Sequence, residues 1–147
     1  MRKLSMIYAI WILKNTGESL LNIAFEKLKL AESDPVLLGG LFSAVSQMAK
    51  QNVGELSTIN IIIGEMKLVF TFSKNFIVVV AGDTEEEAKK FGKEVEKAFN
   101  KRYAHIFEKW DGNIKIFRDF VPEVKKIVER HGPLESDLEE VLRSLSE

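Results

Sequence analysis

The sequence predicts an α+β fold in which a single antiparallel sheet is covered by helices on both faces. Two stretches, Leu4–Leu13 and Phe76–Ala81, are almost continuously apolar and rich in β-branched or aromatic residues, as in strands that are buried on both sides. The segments between and after the predicted strands carry apolar residues at helical spacing. The predicted order is ββ–α–βββ–α–α with a further short helix at the end. A chain of 147 residues has room for one such core and hardly for a second.

The first two predicted strands form a hairpin. Leu4–Leu13 leads into the turn Lys14–Gly17, where Asn and Gly favour a tight reversal. Ser19–Glu26 then alternates, which places Leu21, Ile23 and Phe25 on one face. The apolar run of the first strand is too short to span a bilayer, so we expect a buried strand there.

A helix is predicted over Pro35–Asn52. Its apolar positions at helical spacing are Leu37, Leu41, Ala44, Val45 and Met48, and its polar side carries Ser43, Ser46, Gln47 and Lys50. Gly39 and Gly40 lie inside this helix, where each glycine costs about 1 kcal/mol relative to alanine. Two explanations remain open: close packing of the helix on the sheet, or close approach of another chain.

Three strands and three helices complete the predicted fold. The strands are Leu56–Ile63, Met66–Phe72 and Phe76–Ala81, separated by short turns. A helix capped by Asp83 should run to Trp110 and stop at Asp111–Gly112. A second apolar stripe from Ile114 to Val128 predicts another helix that Pro122 kinks or restarts, and Leu134–Leu145 predicts the terminal helix.

Composition and motifs exclude several kinds of chemistry. The chain has no cysteine, which excludes disulfides, thiolate metal sites and cysteine catalysis. Its net charge of −1 gives no bulk attraction for nucleic acid, and no phosphate-binding glycine loop or zinc-protease motif is present. His105 and His131 fall at helix-surface or helix-end positions, so we expect no catalytic pair, no metal and no cofactor. The abundance of Glu (17) and Lys (16) is typical of proteins from thermophilic organisms, archaea included.

A basic run follows the helix that begins after Asp83. It contains Lys89, Lys90, Lys93, Lys97, Lys101 and Arg102. One interpretation is a solvated helix face balanced by Glu94 and Glu96. The other is contact with anionic lipid headgroups or an acidic partner, which would make the protein peripheral at a membrane.

Four segments resemble longin-like (SNARE-like) domains. The strand and turn Ile7–Gly17 resemble the first hairpin of that family, and Leu38–Val45 resembles the start of its first helix. Phe99–Tyr103 followed by Trp110–Gly112 resembles the second helix, and Phe117–Pro122 resembles the entry to the third. The resemblance covers about residues 4 to 131, which we take as a longin-like domain, with residues 132–147 as a C-terminal amphipathic helix.

The resemblance implies a profilin-like sheet of five antiparallel strands in the order 2-1-5-4-3, with one helix on one face and two on the other. Longin-like domains are generally not enzymes but docking modules of membrane trafficking, found in tethering complexes and in exchange factors for small GTPases. The resemblance therefore implies a cytoplasmic, non-enzymatic module that docks a small Ras-like GTPase. It also implies that this module forms a homodimer, or a heterodimer with a longin or roadblock partner. Roadblock-type domains, which share much of this architecture, are the second match. The alternative from another class is a small-molecule sensor or enzyme built on a profilin-like sheet.

The resemblance also implies a partner face made by the first helix and the neighbouring edge strand. On the helix we expect partner contacts from Gly39, Gly40, Ser43, Gln47, Lys50 and Gln51, and on the strand from Leu21 and Ile23. Edge strands carry unpaired backbone groups that a partner chain can use.

Overall fold

The computed structural model describes residues 7–25, 35–51, 58–64, 66–107 and 109–130, and within 35–51 it describes the side chains of residues 39–48. The strands are β1 (Ile7–Lys14), β2 (Ser19–Ala24), β3 (Thr58–Ile63), β4 (Met66–Phe72) and β5 (Phe76–Gly82). The helices are α1 (Pro35–Gln51), α2 (Glu85–Tyr103), a 3-10 segment η1 (Ile114–Phe120) and α3 (Val121–Arg130).

The five strands form one antiparallel sheet in the order β2-β1-β5-β4-β3. The predicted α+β fold class and strand order are therefore confirmed. The two most apolar segments, β1 and β5, are direct neighbours, with Ile10 opposite Val80 and Ile12 opposite Val78. Every residue of β5 is buried, because β1 and β4 flank it and helices cover both of its faces.

The sheet separates two hydrophobic layers. On one side, alternate residues of β1, β4 and β5 pack under α2, η1 and α3. On the other side, the remaining residues of these strands pack with Leu41, Phe42 and Val45 of α1. Among the described residues, one helix covers one face, and two α-helices with the 3-10 segment cover the other, as the sequence predicts.

β2 departs from the simple alternation that its sequence suggests. Leu21 pairs with Ile12 and Ser19 with Leu13, so Leu20 is an extra residue that bulges the strand. Leu20, Leu21 and Ile23 therefore all reach the layer under α2 and η1. The sequence predicts Leu21 and Ile23 on one face, and the bulge adds Leu20 to that face.

The boundaries of α2 differ from the prediction at both ends. Thr84, not Asp83, caps the helix: its backbone is extended and its hydroxyl accepts a hydrogen bond from the Glu87 amide. The helix ends at Tyr103 rather than Trp110. Beyond it the chain turns, so that the Phe107 and Trp110 rings fold back against Phe117.

α2 lies so close to the sheet at Gly92 that no side chain fits there. A Cβ at this position would lie 2.9 Å from the Thr71 hydroxyl oxygen of β4. That hydroxyl is buried and has no hydrogen-bond partner in the part of the chain that the structure describes. Gly92 is therefore the glycine that close helix-to-sheet packing requires.

Pro122 lies in the first turn of α3, where its missing N–H breaks no helical bond. The predicted restart at this proline is therefore confirmed, with a 3-10 segment before it. Phe117 and Phe120 of that segment enter an aromatic cluster around Phe99, with ring centroids 5.3 and 5.2 Å from it. The cluster fixes η1 and α3 to one end of the sheet.

Some predictions fall outside the described residues: the first residues of the Leu4–Leu13 strand, Leu56, and the terminal helix Leu134–Leu145 with the domain boundary after residue 131. Among the helices that the structure does describe, none has the length and hydrophobicity of a membrane-spanning helix.

Candidate interaction surface

Three residues on the inner side of α1, Phe42, Val45 and Ser46, set the position of the helix on the sheet. The Phe42 ring packs edge-on against Trp11 of β1 and Phe70 of β4, with centroids 5.3 and 5.9 Å apart. Val45 is buried beneath the helix, and the Ser46 hydroxyl donates a 2.8 Å hydrogen bond to the Phe42 carbonyl. Next to Ser46 lies Gly17 of the β1–β2 turn, with a positive φ of 99°. These contacts settle which side of α1 faces outward.

The outward side of α1 is exposed and uncharged. We call it the α1 face; its members are Gly39, Gly40, Ser43, Ala44, Gln47 and Met48. Met48 is 48% exposed although its side chain is large and apolar. Not one charged residue occurs from position 35 to position 49, in a chain of which 29% is charged. A solvated helix face ordinarily carries charged residues, so the uncharged α1 face is a candidate contact surface.

Gly39 and Gly40 are not packed against any described residue of the chain. A Cβ built at either position meets no described atom within 4 Å. The interpretation that these glycines allow α1 to pack closely on the sheet is therefore wrong. The other explanation, close approach of another chain, stays a prediction.

The edge strand β2 has an exposed backbone edge, but Leu21 and Ile23, the two side chains expected to contact a partner, do not lie beside α1. Ile23 is 9% exposed and Leu21 is half-buried, and both pack under α2 and η1, on the sheet face opposite α1. Exposed β2 side chains on the same side of the sheet as α1 include Asn22, which lies opposite Trp11. The structure thus brings Gly39, Gly40, Ser43 and Gln47 together, whereas Leu21 and Ile23 lie apart from them.

Helical periodicity predicts two members of the α1 face as core residues, and this prediction is wrong. Ala44 and Met48 continue the spacing of Leu41 and Val45, yet both are exposed. The signal that identifies them is the absence of charged residues from position 35 to position 49, because a side of the helix that lacks charge can face outward without being marked as polar. The side chains of Lys50 and Gln51 lie outside the described residues.

The opposite side of the molecule presents a shallow groove between α2 and α3. Its volume is about 760 Å³, and its lining consists of Glu94, Lys97, Ala98, Lys101, Glu123, Lys126, Ile127 and Arg130. Arg130 pairs with Glu94 at 3.7 Å and Arg102 pairs with Glu123 at 3.2 Å. Charged side chains at an open surface do not form the enclosed, convergent pocket that small-molecule chemistry requires.

The titratable groups of the described ranges give little sign of acid–base chemistry. Burial raises the pKa of the Tyr103 phenol above its usual 10.0, against a smaller opposing effect of the neighbouring Arg102 charge. The Tyr103 hydroxyl donates to the Ile116 carbonyl at 3.4 Å. It therefore joins α2 to η1 and faces protein, not a cavity. His105 is exposed in the turn after α2.

Comparison with known proteins gives one kind of result, a likeness between folds. No family model matches the chain, and no curated protein matches it. Among solved structures, that of MglC from Myxococcus xanthus is similar over 56% of this chain and 72% of that chain, with 16% identity and a TM-score of 0.42. The strand order and the division of the helices between the two faces are those of longin-like and roadblock-like domains, and the fold is longin/roadblock-like on that ground.

Proposed function

We propose that this protein is a non-enzymatic interaction module that pairs through the α1 face with a second longin- or roadblock-type domain, in the simplest case a second copy of itself. The observation that carries the proposal is the exposed, uncharged α1 face. Its two glycines leave open space that no described residue of the chain fills.

The geometry suits the packing of one helix against another. Small residues at Gly40 and Ala44 lie one turn apart, so a partner helix can approach the backbone closely along this line. Met48 follows one turn later and supplies a flexible apolar side chain for the same contact. The free edge of β2 provides main-chain hydrogen-bonding groups to a partner strand.

In this proposal the paired module docks a small Ras-like GTPase. The support for this step is the resemblance to longin-like domains stated above, together with a groove whose charged lining does not resemble an enzyme site. Pairing on α1 and docking of a GTPase are separate properties, and each has its own measurement.

The test of pairing is the mass of the protein in solution, measured by sedimentation over a range of concentrations. We expect a dimer that Ala44→Glu dissociates, because the new carboxylate would be buried without a partner. Ala44 is exposed in the single chain, so the variant should keep the melting temperature of the separated subunit.

The matched control is Asn100→Glu, which introduces the same side chain at an exposed position of α2 on the other side of the sheet. It should leave the dimer intact. A wild-type chain that stays monomeric, or an Ala44→Glu variant that dimerises like the wild type, would contradict pairing on α1. Pull-down with nucleotide-loaded GTPases tests the docking of a GTPase. If the dimer is intact and no GTPase binds, the docking part of the proposal is rejected and the pairing part stands.

A further inference from the structure

The residues that follow α3 differ in charge from the rest of the chain. Residues 131–147 contain five Asp and Glu against one Arg, although acidic and basic residues are nearly balanced over the whole chain, at 22 and 21. The same residues carry the apolar stripe of the predicted terminal helix, Leu134–Leu145. An amphipathic helix buries its apolar side in a folded protein, and acidic residues beside that side favour a surface with positive charge.

Acidic residues border the apolar stripe on both sides. The stripe consists of Leu134, Leu138, Val141, Leu142 and Leu145. At 3.6 residues per turn these five positions fall within an arc of about 100°. Glu135 comes next to one border of the arc and Asp137 next to the other, whereas Arg143 falls on the opposite side of the helix. A helix seated by this stripe therefore presents one carboxylate to each wall of the groove that receives it.

The groove between α2 and α3 has lysines on both walls. Lys97 and Lys101 line it from α2 and Lys126 from α3, and all three are exposed. The two carboxylates of the lining, Glu94 and Glu123, each pair with an arginine, at 3.7 and 3.2 Å. The three lysines form no ion pair with another residue of the described ranges. We call these three residues the lysine cluster.

The acidic segment begins at one end of this groove. Arg130, the last residue of α3, lines the groove and pairs with Glu94 of α2. Glycine and proline within residues 131–133 are typical of positions just past a helix end, and three residues reach up to about 10 Å. Along α2 the groove runs from Glu94 to Lys101, which is about 10 Å, and a helix over Leu134–Leu145 is about 18 Å long. A helix that returns along the groove is thus long enough to cover the lysine cluster.

From charge, length and connection we infer that residues 134–145 form a helix that occupies the groove between α2 and α3 of its own chain, with Glu135 and Asp137 beside the lysine cluster. The apolar stripe packs on Ala98 and Ile127, which line the groove, and on the aliphatic stems of the lysines. An acidic partner or an anionic lipid lacks the covalent connection, which gives the segment an effective concentration of about millimolar at the groove. The inference goes beyond the proposed pairing, which uses the opposite side of the sheet.

Hydrogen exchange of the 147-residue protein, followed by mass spectrometry, measures how often the segment leaves the groove. We expect the amides of residues 136–145 to exchange more slowly than in a synthetic peptide of residues 131–147. The double variant K97E/K101E should speed this exchange about tenfold, because each exposed ion pair contributes about two- to fivefold to an equilibrium constant. High salt should speed the exchange in the wild type as well.

Two further variants separate charge pairing from a general loss of structure. The matched control K74E/K89E makes the same change of net charge at exposed lysines outside the groove lining, and its segment should exchange like that of the wild type. The variant E135K/D137K should speed exchange by itself. Combined with the reversed lysines of the first variant it should restore slow exchange, because the two sets of charges then attract each other again.

Crosslinking identifies the place where the segment lies. A carbodiimide joins a lysine amine directly to a carboxylate in contact with it. In a mixture of isotopically light and heavy chains, it should join the lysine cluster to residues 135–140 within one chain. Crosslinks that occur only between a light and a heavy chain would overturn the inference and assign the groove to the segment of a second copy.

Two exchange results would also overturn the inference. Fast exchange of the segment in the wild type would mean that the lysines of the groove are solvated. Slow exchange that K97E/K101E leaves unchanged would mean that the apolar stripe packs elsewhere. Neither result bears on pairing through α1, and slow exchange of residues 136–145 should persist in the Ala44→Glu variant, so the two proposals fail independently.

Discussion

Replacing Gly40 by alanine separates the stability of the folded domain from the stability of a pair formed on α1. A Cβ at Gly40 meets no described atom within 4 Å, and the residue lies inside a 17-residue helix. Alanine therefore adds no clash, and it lowers the conformational entropy of the unfolded chain. The expected gain in the free energy of unfolding is about 0.5–1 kcal/mol. In a domain of this size, 1 kcal/mol raises the melting temperature by about 2–4 °C.

Urea unfolding followed by circular dichroism, at a concentration where single chains predominate, measures this gain. The reverse substitution Ala44→Gly is the control, because it lies one turn away on the same exposed face and should lose a similar amount. Sedimentation of Gly40→Ala at higher concentration should show a weaker dimer, since the methyl group occupies the space left for a partner helix. A Gly40→Ala variant that unfolds more easily than the wild type as a single chain would refute the reasoning, because it would mean that the glycine serves packing inside the domain.

Three further predictions concern the other elements. Gly92→Ala should destabilise the domain by about 1–3 kcal/mol, since its Cβ would lie 2.9 Å from the Thr71 hydroxyl. In a double-mutant cycle measured by urea unfolding, adding Thr71→Ala should recover part of this loss. Strictly additive effects of the two substitutions would contradict the contact. The raised pKa of Tyr103 means that the folded state favours the neutral phenol, so its stabilising effect is complete below pH 10.0 and declines as the pH rises above that value toward the pKa of the folded state. Urea unfolding at increasing alkaline pH should show a decline that is smaller in Tyr103→Phe, and parallel curves would argue against it. Removal of residues 133–147, whose sequence carries an apolar stripe, should lower the melting temperature or change the solution mass, and no effect on either would mean that the stripe packs on nothing.

The sheet could be predicted from sequence because its strongest signals are local. The unbroken apolar runs of β1 and β5 indicate central strands, and the alternation of β4 from Met66 to Phe72 gives its bounds as the structure has them. The bulge at Leu20 could not be predicted, because it depends on how the turn after Lys14 closes the hairpin and not on any property of Leu20 itself.

The end of α2 and the outward side of α1 show two other features that the sequence pattern could not predict. Ile106 and Trp110 extend the helical spacing of α2, yet the aromatic cluster draws Phe107 and Trp110 into a turn, which is a tertiary effect that periodicity does not report. In α1, no residue from position 35 to position 49 is charged, so spacing alone could not decide whether Ala44 and Met48 face the sheet or the exterior. That α1 and its two glycines contact a partner stays a prediction. Which side chains of α1 face outward is known only from the orientation that Phe42 gives the helix.

The position of β5 in the middle of the sheet has a consequence for synthesis of the chain. β1 pairs with β5 across about seventy residues, as from Ile10 to Val80, so the inner edge of the N-terminal hairpin has no partner strand until residue 82 has left the ribosome. Through that interval the nascent chain exposes one of its most apolar strands along an open edge, the condition under which aggregation competes with folding. Pairing at such separation also slows folding, because loop closure precedes the contacts that stabilise it. Ribosome-bound chains that end before β5 should therefore be the strongest clients of nascent-chain chaperones, and chains that extend past β5 should be released.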